Sequence, residues 1–500
     1  MIDFTAAFGG LSLLFGSWEP WLVVVPGLLI GLVGGALPGI SGTMTMALVL
    51  PFVMYMDFLS AILFLTAAFT GGNFGGAIPA VLINLPGTTS AVSTAFDGFP
   101  MARRGLHNEA LGLGLGASCF GAFISYLILF LLVDHAAAAV LALGPTEMFI
   151  VGLWGLTMIA ALSTGSMMKG LIAGGVGLLL GTIGIGPTGV MRGTFGLAWL
   201  IDGVPVVPAM MGLLATGELF NLARSRYIVE DAGKRSVSMP RILKACFSIF
   251  RYPTILLRGT AIGVGIGAIP GVGSSVANLI SYGMAKRGAA DGDSYGKGNP
   301  AGVVASESAN SSSEGGALAT MLAIGIPGGG GTAVLLAAFA MHNITGGPRF
   351  IQDNKDIVYA IIFSNMGQAL LLVPLGLLFI RLCGMVVSVP IRYLIPGVLV
   401  LAVAGSYSLT GDMTGPLTLF VFSLLGWVMA RYGYSTAACV VGMLLGSVVE
   451  GELVRSWQIT GGQIEFLFGR PISIALLALL ALSLGWRPLK AFVRMHVARA

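Results

Sequence analysis

Long apolar runs, broken at four places by Pro-Gly pairs, set the pattern of this chain. Residues 20–56 are apolar except for the stretch Gly34-Gly-Ala-Leu-Pro-Gly-Ile-Ser-Gly-Thr-Met-Thr45. At 1.5 Å per residue, about 20 residues cross the hydrocarbon core, so this run is too long for one straight helix. It forms two crossings or one broken, re-entrant pair. A further apolar run over 59–85 ends in a second break, Leu85-Pro86-Gly87-Thr88-Thr89-Ser90. Asp97 to Gly105 read as a polar loop, and spans follow near 110–133, 148–163, 170–186 and 206–223, the last weakened by Glu218.

The pattern then repeats. Gly265-Ile-Gly-Ala-Ile-Pro-Gly-Val-Gly-Ser-Ser-Val-Ala277 restates the first break inside an apolar run over 259–285, with Pro270 on Pro38 and Gly271 on Gly39. After a polar loop over Lys286–Asn299, residues 300–326 lead to Ile326-Pro327-Gly328-Gly329-Gly330-Gly331-Thr332, the counterpart of the second break. Spans near 357–380, 386–404, 414–430, 434–449 and 471–485 complete the chain. The expected fold is an all-α polytopic membrane protein with about 11–12 transmembrane helices, arranged as two repeats.

Between the repeats, residues 224–258 carry eight basic residues against Glu230 and Asp231. This divides the chain into a first half (1–223), a basic cytoplasmic linker (224–258) and a second half (259–500). Within the linker, Pro240–Tyr252 alternates Ile242, Leu243, Phe247 and Phe250 with Arg241, Lys244 and Arg251, as in a short amphipathic helix on a membrane surface. A plain solvated linker is the competing reading. Residues 1–19 contain no Lys or Arg, which places the N-terminus outside, with Trp18 and Trp21 as interfacial anchors. The tail carries Arg487, Lys490, Arg494 and Arg499, which places the C-terminus in the cytoplasm. The first repeat is then entered from outside and the second from inside, giving inverted topology with broken or re-entrant helices.

Composition narrows the function classes. The chain is 56% hydrophobic and only 9% charged, with mean hydropathy +0.92, against about 25% charged residues in soluble domains. The net charge of +5 resides in loops and is no sign of nucleic-acid binding. The 75 glycines, roughly twice ordinary usage, suit close helix packing. Cys119, Cys246, Cys383 and Cys439 lie far apart without CxxC, and the four histidines have no metal-ligand spacing. The N-terminus lacks a basic n-region, so the first membrane helix is expected to direct insertion rather than a cleaved signal peptide. Gly184–Gly189 fits GxGxxG and Gly292–Gly296 fits GxSxG, but neither has the strand–helix context that gives those patterns meaning. No Walker A sequence and no HExxH is present, and no catalytic constellation appears; the chain does not read as an enzyme.

The candidate chemistry lies at the breaks. Proline stops one half-helix, glycine turns the chain, and the next half-helix opens with unpaired N–H groups and the positive end of its dipole. Such ends suit a carboxylate. The candidate substrate-binding residues are Gly39, Ser41, Gly42, Thr43, Gly87, Thr88, Thr89, Ser90, Gly271, Gly273, Ser274, Ser275, Gly328, Gly329 and Thr332. The freed carbonyls suit Na⁺ as a coupling ion, with Asn73, Asn84 and Asn310 as candidate ligands. Glu307, Asn310 and Glu314 stand at i, i+3 and i+7, on one helix face. At membrane depth such acids are functional; in the headgroup region they would be ordinary. Asp97 is a loop acid or a helix cap, and Arg103 and Arg104 hold their loop in the cytoplasm or meet substrate. A channel or scaffold whose breaks merely pack is the alternative to a secondary transporter.

The sequence resembles the large membrane subunit of tripartite tricarboxylate transporters, the TctA-like family. The stretches that carry the likeness are Gly35-Ala-Leu-Pro-Gly39, Leu85-Pro-Gly-Thr88, Asp97-Gly-Phe-Pro-Met-Ala-Arg103, Ala268-Ile-Pro-Gly271 and Ala305-Ser-Glu-Ser-Ala-Asn310 through Gly325-Ile-Pro-Gly328. The resemblance covers nearly the whole chain. It implies a bacterial inner-membrane symporter subunit that works with a small membrane subunit and a periplasmic substrate-binding protein, takes up carboxylates such as citrate, and uses no cofactor beyond a coupling ion, typically Na⁺. Gly328–Gly331 departs from the polar side chains expected in part of that run, which leaves substrate identity to other residues or to the binding protein.

Overall fold

The computed structural model describes residues 3–37, 41–84, 86–141, 143–162, 167–216, 237–270, 272–386, 391–463 and 467–483. Helices dominate, and the sole sheet among the described residues pairs Gly184–Ile185 with Met191–Arg192. Among the described residues, six helices are long and apolar enough to cross a membrane alone: Glu19–Ala36, Phe58–Leu82, His107–His135, Lys355–Leu382, Thr414–Arg431 and Thr436–Ile459. Six shorter apolar helices accompany them among the described residues; Gly42–Val53, Met167–Gly181, Pro253–Gly267 and Pro471–Ser483 fall inside or overlap expected spans, whereas Phe4–Phe15 and Gly330–Met341 do not. This is the all-α polytopic membrane fold. Gly42–Val53, Pro253–Gly267 and Gly330–Met341 are short because each begins or ends at a Pro-Gly break.

The chain folds into two compact units. The larger holds Met1–Ala137 and Val207–Trp427, the smaller Ala138–Val206 and Val428–Ala500. In the larger unit, α1 (Phe4–Phe15), α2 (Glu19–Ala36), α3 (Gly42–Val53), α4 (Phe58–Gly75), α5 (Ala77–Ile83), α6 (Val92–Arg103) and the long α7 (His107–Leu141) form the first half. The smaller unit contains α8 (Pro145–Leu162) and α9 (Met167–Gly181). After α10 (Val206–Met210) and a π-type turn over Met211–Thr216, the larger unit resumes at α11 (Met239–Phe247). It continues with α12 (Pro253–Gly267), α13 (Gly273–Arg287), α14 (Pro300–Ile324), α15 (Gly330–Met341), α16 (Pro348–Asp353), α17 (Lys355–Val386), α18 (Ile391–Thr410) and α19 (Thr414–Arg431). The smaller unit ends with α20 (Thr436–Ile459) and α21 (Pro471–Ser483).

Glycine spacing explains the core of the larger unit. On α2, Gly27, Gly31 and Gly35 recur every four residues, so they share one face. A methyl added at these positions would lie 2.6 Å from the Phe64 carbonyl oxygen, 2.2 Å from that of Ala68 and 2.3 Å from that of Gly72. Only hydrogen fits there, and α2 and α4 meet backbone to backbone. On α12, Gly259, Gly263 and Gly267 have the same spacing, and their added methyls would lie 3.2, 2.5 and 2.3 Å from the carbonyl oxygens of Ala305, Ala309 and Ser313 on α14. The two helix pairs are therefore built alike. The correspondence sets Gly35 on Gly267 and Gly72 on Ser313. Carried onward without a gap, it sets Asn73 on Glu314 and Pro86 on Pro327.

One expectation changes. Asp97 to Arg103 is not loop but the end of α6, and Asp97 is fully buried within it. Its carboxylate accepts the N–H groups of Gly296, Gly298 and Asn299 at 2.8–2.9 Å and the Tyr282 hydroxyl at 2.9 Å, so tertiary partners hold a polar stretch helical. The acid serves neither as loop solvation nor as a helix cap. Over Pro240–Tyr252, α11 and a 3₁₀ turn over Ser248–Arg251 bury Ile242, Cys246 and Ile249 while leaving Leu243, Phe247 and Phe250 exposed beside Arg241, Lys244 and Arg251. Gly112 and Gly116 of α7 let this segment approach the backbone closely, and Arg241 pairs with Glu109 at 2.7 Å. Glu218 and residues 224–236 of the linker lie outside the described residues.

Candidate functional site

The four breaks come together. The first and second meet where a methyl on Gly87 would lie 2.0 Å from the Gly35 carbonyl oxygen. The third and fourth meet in the same way, with Gly328 against the Gly267 carbonyl oxygen at 2.7 Å. Contacts also run between the repeats. The Thr89 and Ser275 hydroxyls lie 2.8 Å apart, and the Asn278 amide donates to the Ser90 carbonyl oxygen. Thr43, in the first turn of α3, sits 3.0 Å from where Gly330 would carry a methyl, at the start of α15. Gly331 is closed by the ring of Phe69.

Each break is shaped by its own residues. Ser41 caps α3, accepting the Met44 N–H at 3.0 Å. Gly42 is buried against Gly72. Thr88 and Ser90 are buried and share a 3.0 Å hydroxyl contact, whereas Thr89 is exposed. Gly273 has φ +70°, a conformation that favours glycine, and it starts α13 with the half-buried Ser274 and Ser275 behind it. Thr332 is buried and exchanges two 3.0 Å bonds with Gly329, accepting its N–H and donating to its carbonyl oxygen. Gly329 itself lies against Gly273. Gly39 and Gly271 lie outside the described residues. Asn84 stands apart from this cluster: it is an exposed residue at φ +59° that closes α5.

Behind the breaks lies a polar interior. Every residue of α14 from Ala301 to Leu318 is buried. This segment contains mostly small and hydroxyl side chains, so neighbouring helices can pack on all its faces. Glu307 accepts the Thr94 hydroxyl from α6, the Ser118 hydroxyl from α7 at 2.8 Å and the Asn310 amide at 3.5 Å. Glu314 accepts the Thr70 hydroxyl at 2.7 Å and the Asn73 amide at 2.6 Å, both from α4, and the Tyr126 hydroxyl from α7 at 3.4 Å. Asn310 also donates to the Asn73 carbonyl oxygen at 3.3 Å. The helix face carrying Glu307, Asn310 and Glu314 was legible from spacing. Thr70, Thr94, Ser118 and Tyr126 were not, since nothing local distinguishes a serine or threonine facing a carboxylate from one bonding its own helix.

The smaller unit has its own buried acid. Glu147, at the start of α8, accepts the Gly144 N–H at 2.8 Å, the Ser473 hydroxyl at 2.6 Å and the Arg470 guanidinium at 3.0 Å. These partners make it a structural tie between α8 and α21.

An all-α membrane fold with matched helix breaks facing one another defines a multi-pass membrane transporter component. The chain belongs to the tripartite tricarboxylate transporter TctA family, whose profile matches residues 21–441. It is 32% identical over 456 residues, 90% of each chain, to an uncharacterized 52.8 kDa protein in the TAR-I ttuC' 3' region of Agrobacterium vitis. It is also 31% identical over 214 residues, 43% of this chain and 88% of the other, to an uncharacterized protein in the TAR-II ttuC' 3' region of the same organism. No solved structure matches the chain.

Proposed function

We propose that this chain is the permease subunit of a binding-protein-dependent symporter that takes up a di- or tricarboxylate by alternating access, driven by an inward cation gradient, with Na⁺ as the coupling ion. Its partners are a small membrane subunit and a periplasmic substrate-binding protein in the bacterial inner membrane. The N-terminus faces the periplasm and the C-terminus the cytoplasm.

One observation carries this reading: the breaks of one repeat touch those of the other, Thr89 on Ser275 at 2.8 Å and Thr43 on Gly330. Packing kinks would have no reason to gather this way. Three half-helices, α3, α13 and α15, begin at this cluster, and each supplies unpaired N–H groups and a positive dipole end. Ser41, Thr43, Thr89, Ser274 and Ser275 add hydroxyl donors there. A multiply charged carboxylate needs several such donors at once, and inverted repeats that rock about one another can expose them alternately to each side.

The test is initial-rate uptake of radiolabelled citrate and a dicarboxylate panel by the assembled complex in proteoliposomes. Thr89→Val and Ser275→Ala should each raise KM roughly tenfold, since a hydrogen bond to a charged group contributes about 1.5–3 kcal/mol. Assembly with the small subunit should be unchanged. Unaltered KM in both variants would contradict a substrate site at the breaks.

A further inference from the structure

We infer that Glu307, Asn310 and the main-chain carbonyl of Asn73 form the seat of a monovalent cation of Na⁺ size. The inference rests on the symporter reading and locates its coupling ion away from the substrate-facing turns, on the buried face of α14.

Three observations lead to it. First, Glu307 is fully buried, and all its partners are neutral: Thr94, Ser118 and Asn310. No ion pair to it occurs among the described residues. A carboxylate cannot stay ionised inside a membrane protein without a compensating charge. Second, the Asn310 amide is buried with its Oδ1 lacking any hydrogen-bond partner. Its Nδ2 lies 3.3 Å from the Asn73 carbonyl oxygen and 3.5 Å from Glu307 Oε2, both longer than the usual N–H···O range of about 2.7–3.2 Å. This amide is loosely held, and a half-turn about its Cβ–Cγ bond exchanges Oδ1 with Nδ2. Third, that half-turn sets the Asn310 amide oxygen beside both a carboxylate oxygen and a main-chain carbonyl oxygen. This is the donor set of a hard cation. Such ions take oxygens at about 2.3–2.6 Å, so neighbouring oxygens of an octahedral shell lie roughly 3.3–3.7 Å apart. The separations on Asn310 fall in that interval. A single carboxylate in the set balances one positive charge.

Glu314 differs. Its two oxygens accept two short bonds, from Thr70 at 2.7 Å and Asn73 at 2.6 Å, and a longer third from Tyr126 at 3.4 Å. It reads as a tie between α4 and α14. A cation at Glu307 would likewise join α14 to α4 through the Asn73 carbonyl. Both helices run on toward a break, at Pro86 and at Pro327. The ion therefore pins the two substrate-binding turns together, and substrate binding must tighten the ion in return.

The purified full-length chain tests this without substrate or transport. Its thermal unfolding midpoint is measured across a NaCl series, with choline chloride holding ionic strength, and in KCl. The wild type should be stabilised progressively by Na⁺, as mass action requires, and much less by K⁺. Glu307→Gln and Asn310→Ala should weaken the apparent Na⁺ affinity at least tenfold. Asn310→Ala leaves the Thr94 and Ser118 bonds in place and serves if Glu307→Gln fails to fold. Thr89→Val should respond as the wild type does. A wild-type Na⁺ response retained in both site variants would overturn the assignment. So would a wild type indifferent to Na⁺, or one stabilised only by acid, which would place a proton on Glu307 instead. Na⁺-driven uptake by Glu307→Gln and Asn310→Ala with their Na⁺ response intact would remove this seat and leave the symporter reading standing. A normal Na⁺ response without carboxylate uptake would do the reverse.

Discussion

Asn73 donates to Glu314 at 2.6 Å, and the two occupy equivalent positions in the two repeats. Each follows the residue, Gly72 or Ser313, on which the partner helix of its own repeat closes. The repeats thus meet at their own corresponding residues, one a donor and the other an acceptor. Asn73→Ala leaves a buried carboxylate short of a partner and should destabilise the chain by about 1–3 kcal/mol. Glu314→Gln should cost less in the Asn73→Ala background than alone. Additive effects in thermal or denaturant unfolding would mean the pair is not coupled.

The glycine faces make a paired prediction. Gly35→Ala and Gly267→Ala each place a methyl 2.3 Å from a carbonyl oxygen of the neighbouring helix. Both should destabilise by about 1–3 kcal/mol, the usual range for overpacking. Gly265→Ala, on the same helix as Gly267 but with nothing within 4 Å, should be neutral or slightly stabilising. Unfolding midpoints of the three variants decide the matter; equal effects at 265 and 267 would contradict the close helix contact.

Asp97 ties the end of α6 to the turn before α14. Replacing it by alanine strands three N–H groups at once, those of Gly296, Gly298 and Asn299. Hydrogen exchange across 291–299 should accelerate at least tenfold in Asp97→Ala. Tyr282→Phe, which removes one hydroxyl donor and leaves those three bonds, should have a smaller effect on the same segment.

The start of α1 should loosen in acid. The Lys355 ammonium, 3.0 Å away, and the Ala6 N–H hold the Asp3 carboxyl below the usual carboxylate range. Asp134 faces the same group, accepting the Asp3 N–H at 3.1 Å and the Tyr359 hydroxyl at 2.8 Å. A lowered carboxyl stabilises the folded state above its unfolded value, about 3.9, and that contribution fades as pH falls through the lowered one. Exchange protection over residues 4–8 should therefore drop below about pH 4. Asp3→Asn should lack this acid step; an unchanged pH profile would contradict its assignment to Asp3.

Most of the architecture was legible because membrane spans and helix breaks are local signals. An apolar run of adequate length reads directly as a helix, and Pro38, Pro86, Pro270 and Pro327 mark the turns without tertiary knowledge. The face shared by Glu307, Asn310 and Glu314 followed from helical period alone. What escaped was set by partners distant in sequence. Asp97 to Arg103 resembled a loop because its helix is held by Tyr282 and by backbone groups nearly 200 residues away. Thr70, Thr94, Ser118 and Tyr126 had no local mark either. Asn84 carried the same residue type as Asn73, yet one closes a helix at the surface and the other faces Glu314. Residue type near a break did not separate them; the repeat register did.

The most direct test of the central claim is citrate and dicarboxylate uptake in proteoliposomes containing this chain and its small membrane partner. Uptake is measured with and without an inward Na⁺ gradient and with and without the cognate binding protein. Saturable accumulation of one carboxylate that requires both the gradient and the binding protein is the predicted result. Gradient-independent leakage, or no uptake across the carboxylate panel, would contradict a symporter built on these breaks and favour a channel or scaffold.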